Sequence, residues 1–116
     1  MGGVGHLAGT IVWCDLDPAV GHEQAGRRPA LVISSSDFSE AIASMAIIVP
    51  CTTRNRGWLS HVPVSGPTGL SRPTYAVTEQ PRTISTERIH RVLGRADNAT
   101  MTSVTEWVRT WVEAAV

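Results

Sequence analysis

The residues that could do chemistry concentrate in one polar connection, GHEQAGRRP, which occupies positions 21–29. Apolar runs that are typical of strands flank this connection. It carries a histidine, a carboxylate, an amide and two arginines, more polar groups than a turn between strands needs. Arg28 precedes Pro29, which favours an extended backbone, so we expect its side chain at a fixed position at the mouth of the second strand. A surface ion pair between Glu23 and Arg28, which would stabilise little, is the simpler interpretation.

Two further strand ends carry arginine beside hydroxyl or amide side chains. They are PCTTRNRG at 50–57 and EQPRTIS at 79–85. Hydroxyl and guanidinium groups at a strand end can hold a phosphate, although solvated turns also favour threonine. Three such strand ends could converge on one face of a small barrel and form an anion site. The polar residues that we single out in these two segments are Thr52, Thr53, Arg54, Arg56, Gln80 and Arg82.

Several kinds of chemistry are missing from the sequence. It contains no close Cys/His pairs, no HExxH, no P-loop and no nucleophile elbow. Cys14 and Cys51 fall inside apolar runs, which favours buried, reduced thiols. We therefore expect no metal and no cofactor. Of the kinds of chemistry considered, the one that the sequence still allows is metal-free polar chemistry on an anion.

The elements that must position these residues are short strands. Runs rich in β-branched, aromatic and other apolar residues predict strands at 10–16, 30–34, 46–53, 59–65, 75–80 and 90–95. Pro50 implies a strand edge or a bulge. TISTERI contains a helical turn capped by Ser85 or Thr86.

Two helices are also expected. SDFSEAIASM predicts a short helix with Ser36 as its N-cap. An amphipathic helix runs from about position 100 to position 116, with Thr100 or Ser103 at its start. Its apolar face consists of Val104, Trp107, Val108, Trp111, Val112 and Ala115. A small curled sheet or barrel with this helix packed on it accommodates all of these elements.

The formal net charge is zero, but the charges are unevenly distributed. Residues 1–53 carry two arginines and five acidic residues. Residues 54–95 carry seven arginines and two acidic residues, and residues 96–116 carry one arginine and three acidic residues. The planar fork of arginine matches phosphate, so the basic middle suits a polyanionic partner. Genome composition explains the absence of lysine better than function does.

Length and composition fit one domain spanning 1–116, with 1–8 as a disordered tail. No apolar run approaches the roughly 18 residues of a membrane span. The N-terminus lacks the basic region of a signal peptide. We therefore expect a cytoplasmic protein that does not associate with membranes.

The polar segments together resemble those of a known family. GTIVWCDLDPAVGHEQAGRRPALVIS is similar to the opening of the MazF/PemK toxin endoribonucleases, and VPCTT and TEQPRTI resemble that family's second and third signatures. Thr10 stands where the family usually has aspartate, which affects hydrogen bonding at the start of the first strand. The resemblance implies a mainly β (α+β) fold, a small SH3-like barrel of about six or seven strands with short helices and a C-terminal amphipathic helix.

The resemblance also implies an activity and partners. Members of the family cleave single-stranded RNA at short motifs by attack of the 2′-hydroxyl and use no metal. They leave a 2′,3′-cyclic phosphate and a 5′-hydroxyl. They form homodimers and are neutralised by a cognate antitoxin protein that lies over the RNA groove.

On this resemblance Arg28 and Thr52 are catalytic, and Glu23 is the acidic residue of the loop. Arginine resists deprotonation because its pKa exceeds about 12, so Glu23 or His22 suits the general base better than Arg28 does. We expect differences in RNA specificity to arise from the segment 57–73. The residues expected to bind RNA are His22, Gln24, Arg27, Thr53, Arg54, Arg56, Gln80 and Arg82.

Three other functions compete with this interpretation. A toxin of the same fold that poisons DNA gyrase would not need Arg28 and Thr52 as a pair. A non-catalytic SH3-like binding module would need an aromatic groove, yet the chain has one Tyr and one Phe, and we expect Trp107 and Trp111 on the helix face. An inactive relative of the nucleases is the third alternative.

Overall fold

The fold is a curled antiparallel sheet with one long helix packed against it. The computed structural model describes residues 6–113, and every strand pair in that range is antiparallel. The elements are β1 (Thr10–Asp15), β2 (Arg27–Val32), α1 (Ser36–Ala41), β3 (Met45–Thr52), β4 (His61–Pro63), β5 (Tyr75–Val77), β6 (Arg82–Ser85), a 3-10 turn (Thr86–Arg88), β7 (Ile89–Arg95) and α2 (Asn98–Val112). The predicted mainly β fold with a C-terminal helix is confirmed, with seven strands.

Pro50 marks the place where β3 changes partner. Along one edge β3 pairs with β2, with Ala30 opposite Pro50. Along the other edge it pairs with β6 up to Ile48 and with β5 from Cys51. Proline brings no N–H to a ladder, so it suits the gap between two partner strands. The strand interruption predicted at Pro50 is therefore such a gap.

The segment after β4 folds back onto the end of β7 and curls the sheet. Arg95 N donates to Pro67 O at 3.0 Å, and Asp97 N donates to Ser65 O at 2.8 Å. A Cβ atom added at Gly94 would lie 2.4 Å from Pro67 O. Only glycine allows the two segments to approach this closely.

The start of β1 is held by Arg95. Its Nη1 donates to Thr10 Oγ1 at 3.3 Å, and its Nη2 donates to Ala8 O at 3.2 Å. A threonine hydroxyl therefore supplies an acceptor at the position where the resembled family has aspartate. Of the tail expected at 1–8, residues 1–5 lie outside the described range.

The strands predicted at 59–65 and 75–80 are shorter in the structure, and two further differences involve polar residues. β2 begins three residues early, at Arg27, because Arg27 and Arg28 pair with Asp15 and Cys14 of β1 despite their polarity. β6 was not predicted as a strand, since RTIS has little apolar character. It forms because the first half of β3 leaves an edge open to it.

The helix starts also differ from the predictions. Ser35, not Ser36, caps α1, and its hydroxyl accepts from Phe38 N at 3.3 Å. Asp97, not Thr100 or Ser103, caps α2. The carboxylate of Asp97 accepts from Thr100 N at 2.8 Å, which satisfies an amide of the first helical turn.

The apolar face of α2 packs on the sheet along only part of its length. Val104 is fully buried and Trp107 packs on the core beside it. Val112 is 72% exposed, so its assignment to the buried face was wrong; Ala115 lies outside the described residues. Neither helix in residues 6–113 has the length and apolarity that crossing a bilayer requires.

The core has two clusters, and each contains one cysteine. Cys51 belongs to the cluster under α2, and Cys14 belongs to the cluster formed by β1, β2, β3 and β6. Both thiols are free and buried, as predicted. Burial raises the pKa of Cys51 to about 12 and that of Cys14 to about 11. Both are therefore neutral thiols with little nucleophilic character at neutral pH.

Candidate active site

The pairing of β2 with β3 brings Arg28 and Thr52 together. Ala30 and Pro50 form the last pair of this ladder before the loop. Beyond that pair the side chain of Arg28 reaches Cys51, the residue before Thr52, and its Nη1 donates to Cys51 O. The sequence-predicted catalytic pair is thus adjacent in the fold, although the two residues are distant in the chain.

The guanidinium group of Arg28 is held by two main-chain carbonyls. Its Nε donates to Ala25 O at 3.0 Å and its Nη1 donates to Cys51 O at 3.1 Å. A guanidinium has five N–H donors, so three of them remain for a ligand. In residues 6–113 Arg28 forms no ion pair with Glu23, and the simpler sequence interpretation was therefore wrong.

Thr52 is oriented by the turn that follows β3. Its Oγ1 accepts from Arg54 N at 3.1 Å, which leaves the hydroxyl proton available for a ligand. Thr52 also pairs with Tyr75 of β5, so its backbone is fixed by the sheet. Arg28 and Thr52 together therefore offer preorganised donors at one end of the barrel.

The loop at 21–26 is held at its C-terminal end by two hydrogen bonds of the Gly26 main chain. Leu16 N donates to Gly26 O at 3.0 Å, and Gly26 N donates to Asp17 Oδ1 at 2.9 Å. Gly26 has a φ of 75°, in the left-handed region that favours glycine. The Glu23 side chain stabilises the turn at the start of the loop, because its Oε1 accepts from Val20 N at 2.8 Å.

A cavity of about 250 Å³ lies between this loop and the β5–β6 connection. Glu23 lines it from the loop, and Pro50, on the same strand face as Thr52, lines it from β3. Arg82 lines it from β6, but its Nη1 donates to Leu16 O at 2.8 Å, so part of this guanidinium holds the end of β1. Arg28 and Thr52 do not line the cavity, but Arg28 is bonded to the carbonyls of Ala25 and Cys51, which directly follow the lining residues Gln24 and Pro50.

Three residues that the sequence did not single out border the site. His61 is 4% exposed, and its Nε2 lies 3.0 Å from both carboxylate oxygens of Glu79. Its Nδ1 has no partner among residues 6–113. Trp58 packs against the His61 ring with centroids 4.8 Å apart. The strand predicted at 59–65 is shorter in the structure, since β4 spans only His61–Pro63, and it buries His61.

These three residues line a second pocket, of about 190 Å³. The predicted RNA-binding residues that also line it are His22, Gln24, Arg56 and Gln80. Of the others, Thr53 lines a third pocket, of about 380 Å³, on another part of the surface. Arg27 and Arg54 are exposed. No local signal in the sequence points to His61 and Glu79 as a pair, because the two residues lie 18 positions apart in the chain.

Comparisons with known proteins agree on one family. The model of the PemK-like, MazF-like toxin of type II toxin-antitoxin systems matches residues 7–112. The endoribonuclease toxin MazF of Escherichia coli K12 is 38% identical over 77 residues, which cover 66% of this chain and 66% of that protein. Endoribonuclease MazF9 of Mycobacterium tuberculosis is 34% identical over 113 residues, 84% of this chain and 88% of MazF9.

Solved structures that are similar to this chain come from the same family. The crystal structure of MazF from Deinococcus radiodurans superposes with a TM-score of 0.80 and 27% identity, covering 90% of this chain and 94% of that one. A MazE–MazF structure from the same organism has a TM-score of 0.75 and 26% identity, covering 95% and 97%.

Proposed function

This chain belongs to the PemK-like, MazF-like toxin family of type II toxin–antitoxin systems, and we propose that it is an endoribonuclease that cleaves single-stranded RNA without a metal. The observation that carries the proposal is the hydrogen bond from Arg28 Nη1 to the carbonyl of Cys51, which holds the guanidinium at the end of β3 next to Thr52. The named relatives are endoribonucleases, which gives no support to the alternative of a toxin that poisons gyrase.

The reaction needs no nucleophile from the protein, because RNA carries its own. The 2′-oxygen attacks the adjacent phosphorus, and the bond from phosphorus to the 5′-oxygen breaks. The products are a 2′,3′-cyclic phosphate and a 5′-hydroxyl. The protein must align the 2′-hydroxyl, remove its proton, stabilise the charge on the phosphoryl oxygens and protonate the leaving oxygen.

Arg28 and Thr52 stabilise the phosphoryl oxygens in this proposal. The three N–H donors left on Arg28 and the Thr52 hydroxyl can all point at one anionic group. The two carbonyls that already hold Arg28 keep it from reorganising during the reaction. Removal of one such preorganised donor typically slows a reaction about a hundred- to a thousandfold.

Glu23 accepts the 2′-hydroxyl proton. It is a carboxylate on the loop that also supplies the Ala25 carbonyl for Arg28, and it lines the cavity beside the pair. His22 is directed to the second pocket instead. The remaining predicted RNA-binding residues hold the chain on either side of the cut, with arginines on phosphates and amides on base edges.

We extend the proposal to the partners of the chain. MazE accompanies the Deinococcus relative in a solved structure, and a cognate antitoxin is the corresponding partner here. A second copy of this chain completes a homodimer. The protein acts in the cytoplasm, where its RNA substrate is found.

The test is incubation of the purified chain with a long single-stranded RNA in EDTA, followed by mapping of both ends at every cut. The proposal predicts cuts at a short motif, with a 2′,3′-cyclic phosphate on one side and a 5′-hydroxyl on the other. Intact RNA, or ends with a 5′-phosphate, would contradict it. A melting curve of the same preparation establishes that the protein is folded.

A further inference from the structure

We propose, as an extension of the RNA cleavage proposed above, that the second pocket binds one unpaired RNA base, which stacks on Trp58, and selects guanine through Glu79. The pocket of about 190 Å³ is open to solvent and lies between the catalytic loop and β4. Gln24 and Gln80 line both this pocket and the cavity beside Arg28 and Thr52. The base it holds is therefore a neighbour of the phosphate that is cut.

Trp58 is built as a stacking platform. Its side chain is 52% exposed, although tryptophan is usually well buried. Three contacts fix it: its carbonyl accepts from His61 N at 3.1 Å, its ring packs on the His61 ring, and the Arg56 guanidinium lies 5.4 Å from its centroid. A fixed, half-exposed indole beside an arginine is a typical binding surface for an unpaired base.

The carboxylate of Glu79 is held in a position from which it can accept hydrogen bonds from the edge of a base. Nε2 of buried His61 lies 3.0 Å from both of its oxygens, and the Glu79 side chain remains 31% exposed. A carboxylate has about four acceptor sites, so the exposed side can accept two further hydrogen bonds. His61 is therefore a positioning residue, because it orients Glu79 without reaching the solvent itself.

The two free acceptor positions match guanine better than the other bases. Guanine presents two neighbouring N–H donors, N1–H and the N2 amino group, on one edge. Cytosine and adenine present one amino donor beside an acceptor nitrogen, and uracil presents one imino donor between two carbonyls. Each of these places an acceptor against the second carboxylate oxygen, which is unfavourable. The amide of Gln24 can donate to guanine O6 from the same pocket.

Binding of RNA analogues that cannot be cut tests this inference separately from cleavage. The probes are 2′-O-methyl oligonucleotides of uridine with one central guanine, adenine, cytosine or inosine. The full chain is titrated with each probe, and dissociation constants are compared. We expect the guanine probe to bind about tenfold more tightly than the others, because one good edge contact typically discriminates by about that factor. Inosine, which lacks the N2 amino group, should lose most of the advantage.

Two pairs of variants locate the effect. Glu79→Gln should remove the preference for guanine, whereas Glu40→Gln, at an exposed glutamate of α1, should retain it. Trp58→Ala should weaken the binding of every probe about tenfold. Trp58→Phe should retain most of the wild-type affinity, and Leu59→Ala, at the exposed neighbouring residue, should leave the affinity unchanged.

Equal affinity of the wild type for the four probes, or a guanine preference that survives in Glu79→Gln, would overturn the inference. Either result leaves the cleavage assay free to succeed. If the wild type does not cleave RNA but prefers guanine in a way that depends on Glu79, the result would instead contradict the proposed activity and support the base pocket. Melting curves of the variants exclude a loss of folding as the cause.

Discussion

Gln80 holds Gln24 in place across the site. Its Oε1 accepts from Gln24 N at 2.8 Å, and its Nε2 donates to His22 O at 3.2 Å. One side chain from the β5–β6 connection thus fixes the middle of the loop at 21–26 through two hydrogen bonds to its main chain. The Gln80 amide is therefore a part of the loop's structure.

Gln80→Ala should loosen this loop. Two hydrogen bonds are lost, and each contributes about 1 kcal/mol to stability. Amide hydrogen exchange of residues 21–26 should accelerate, and cleavage should slow because Arg28 loses its support from the Ala25 carbonyl. Gln80→Glu is the control, since it keeps the acceptor for Gln24 N and loses only the donor. Unchanged exchange in Gln80→Ala would show that Gln80 does not fix the loop.

Glu23→Gln should slow single-turnover cleavage about a hundred- to ten-thousandfold, the usual contribution of a general base. The amide retains an acceptor for Val20 N, so the loop keeps its shape. His22→Ala is the matched comparison: it should weaken RNA binding, but at saturating protein it should leave the pH profile of the single-turnover rate unchanged. A slowed His22→Ala variant beside an unaffected Glu23→Gln variant would identify His22 as the group that accepts the 2′-hydroxyl proton.

Gly94→Ala should destabilise the protein by about 3 kcal/mol, because the added methyl group meets the main-chain oxygens of Pro67 and Thr68 at 2.4 Å. Gly57→Ala is the control. Gly57 also has a left-handed φ, of 75°, but open space surrounds it, so only about 1 kcal/mol of backbone strain is expected. Urea unfolding measures both, and equal losses would contradict the close packing of β7.

Asp97 should make stability depend on pH in acid. Hydrogen bonds from the Thr100 side chain and backbone hold the pKa of Asp97 below its ordinary value of 3.8. The stabilisation is therefore complete above pH 3.8 and is lost as the pH falls through the lower, folded value. Asp97→Asn should flatten this part of the unfolding profile relative to the wild type measured under the same conditions. An unchanged acid profile in Asp97→Asn would contradict the assignment.

The sequence predicted the fold and singled out Arg28 and Thr52 because both inferences depend on local signals. Arg28 next to Pro29, and Thr52 at the end of an apolar run, define strand ends, and the fold brings the Arg28 side chain to Cys51, next to Thr52. The cap at Asp97 also had a local signal, its spacing from Thr100, but Thr100 and Ser103 offered competing starts.

The contacts that the sequence did not predict join distant parts of the chain. His61 is buried because Glu79, 18 residues away, satisfies its ring nitrogen. Arg82, which we expect on RNA phosphates, also binds Leu16 O, 66 residues away, through its Nη1. Hydrophobic alternation carries no information about such partners, so only the fold reveals them.

Single-turnover cleavage of one RNA oligonucleotide in EDTA tests the central claim most directly. The comparison is wild type, Arg28→Ala, Arg28→Lys and Thr52→Ala, with Arg109→Ala as an exposed control on α2. We predict wild-type cleavage by the control and losses of about a hundred- to a thousandfold in the Arg28 and Thr52 variants. Lysine should not rescue Arg28, because it lacks the planar fork. Cleavage by folded Arg28→Ala at the wild-type rate would contradict the account.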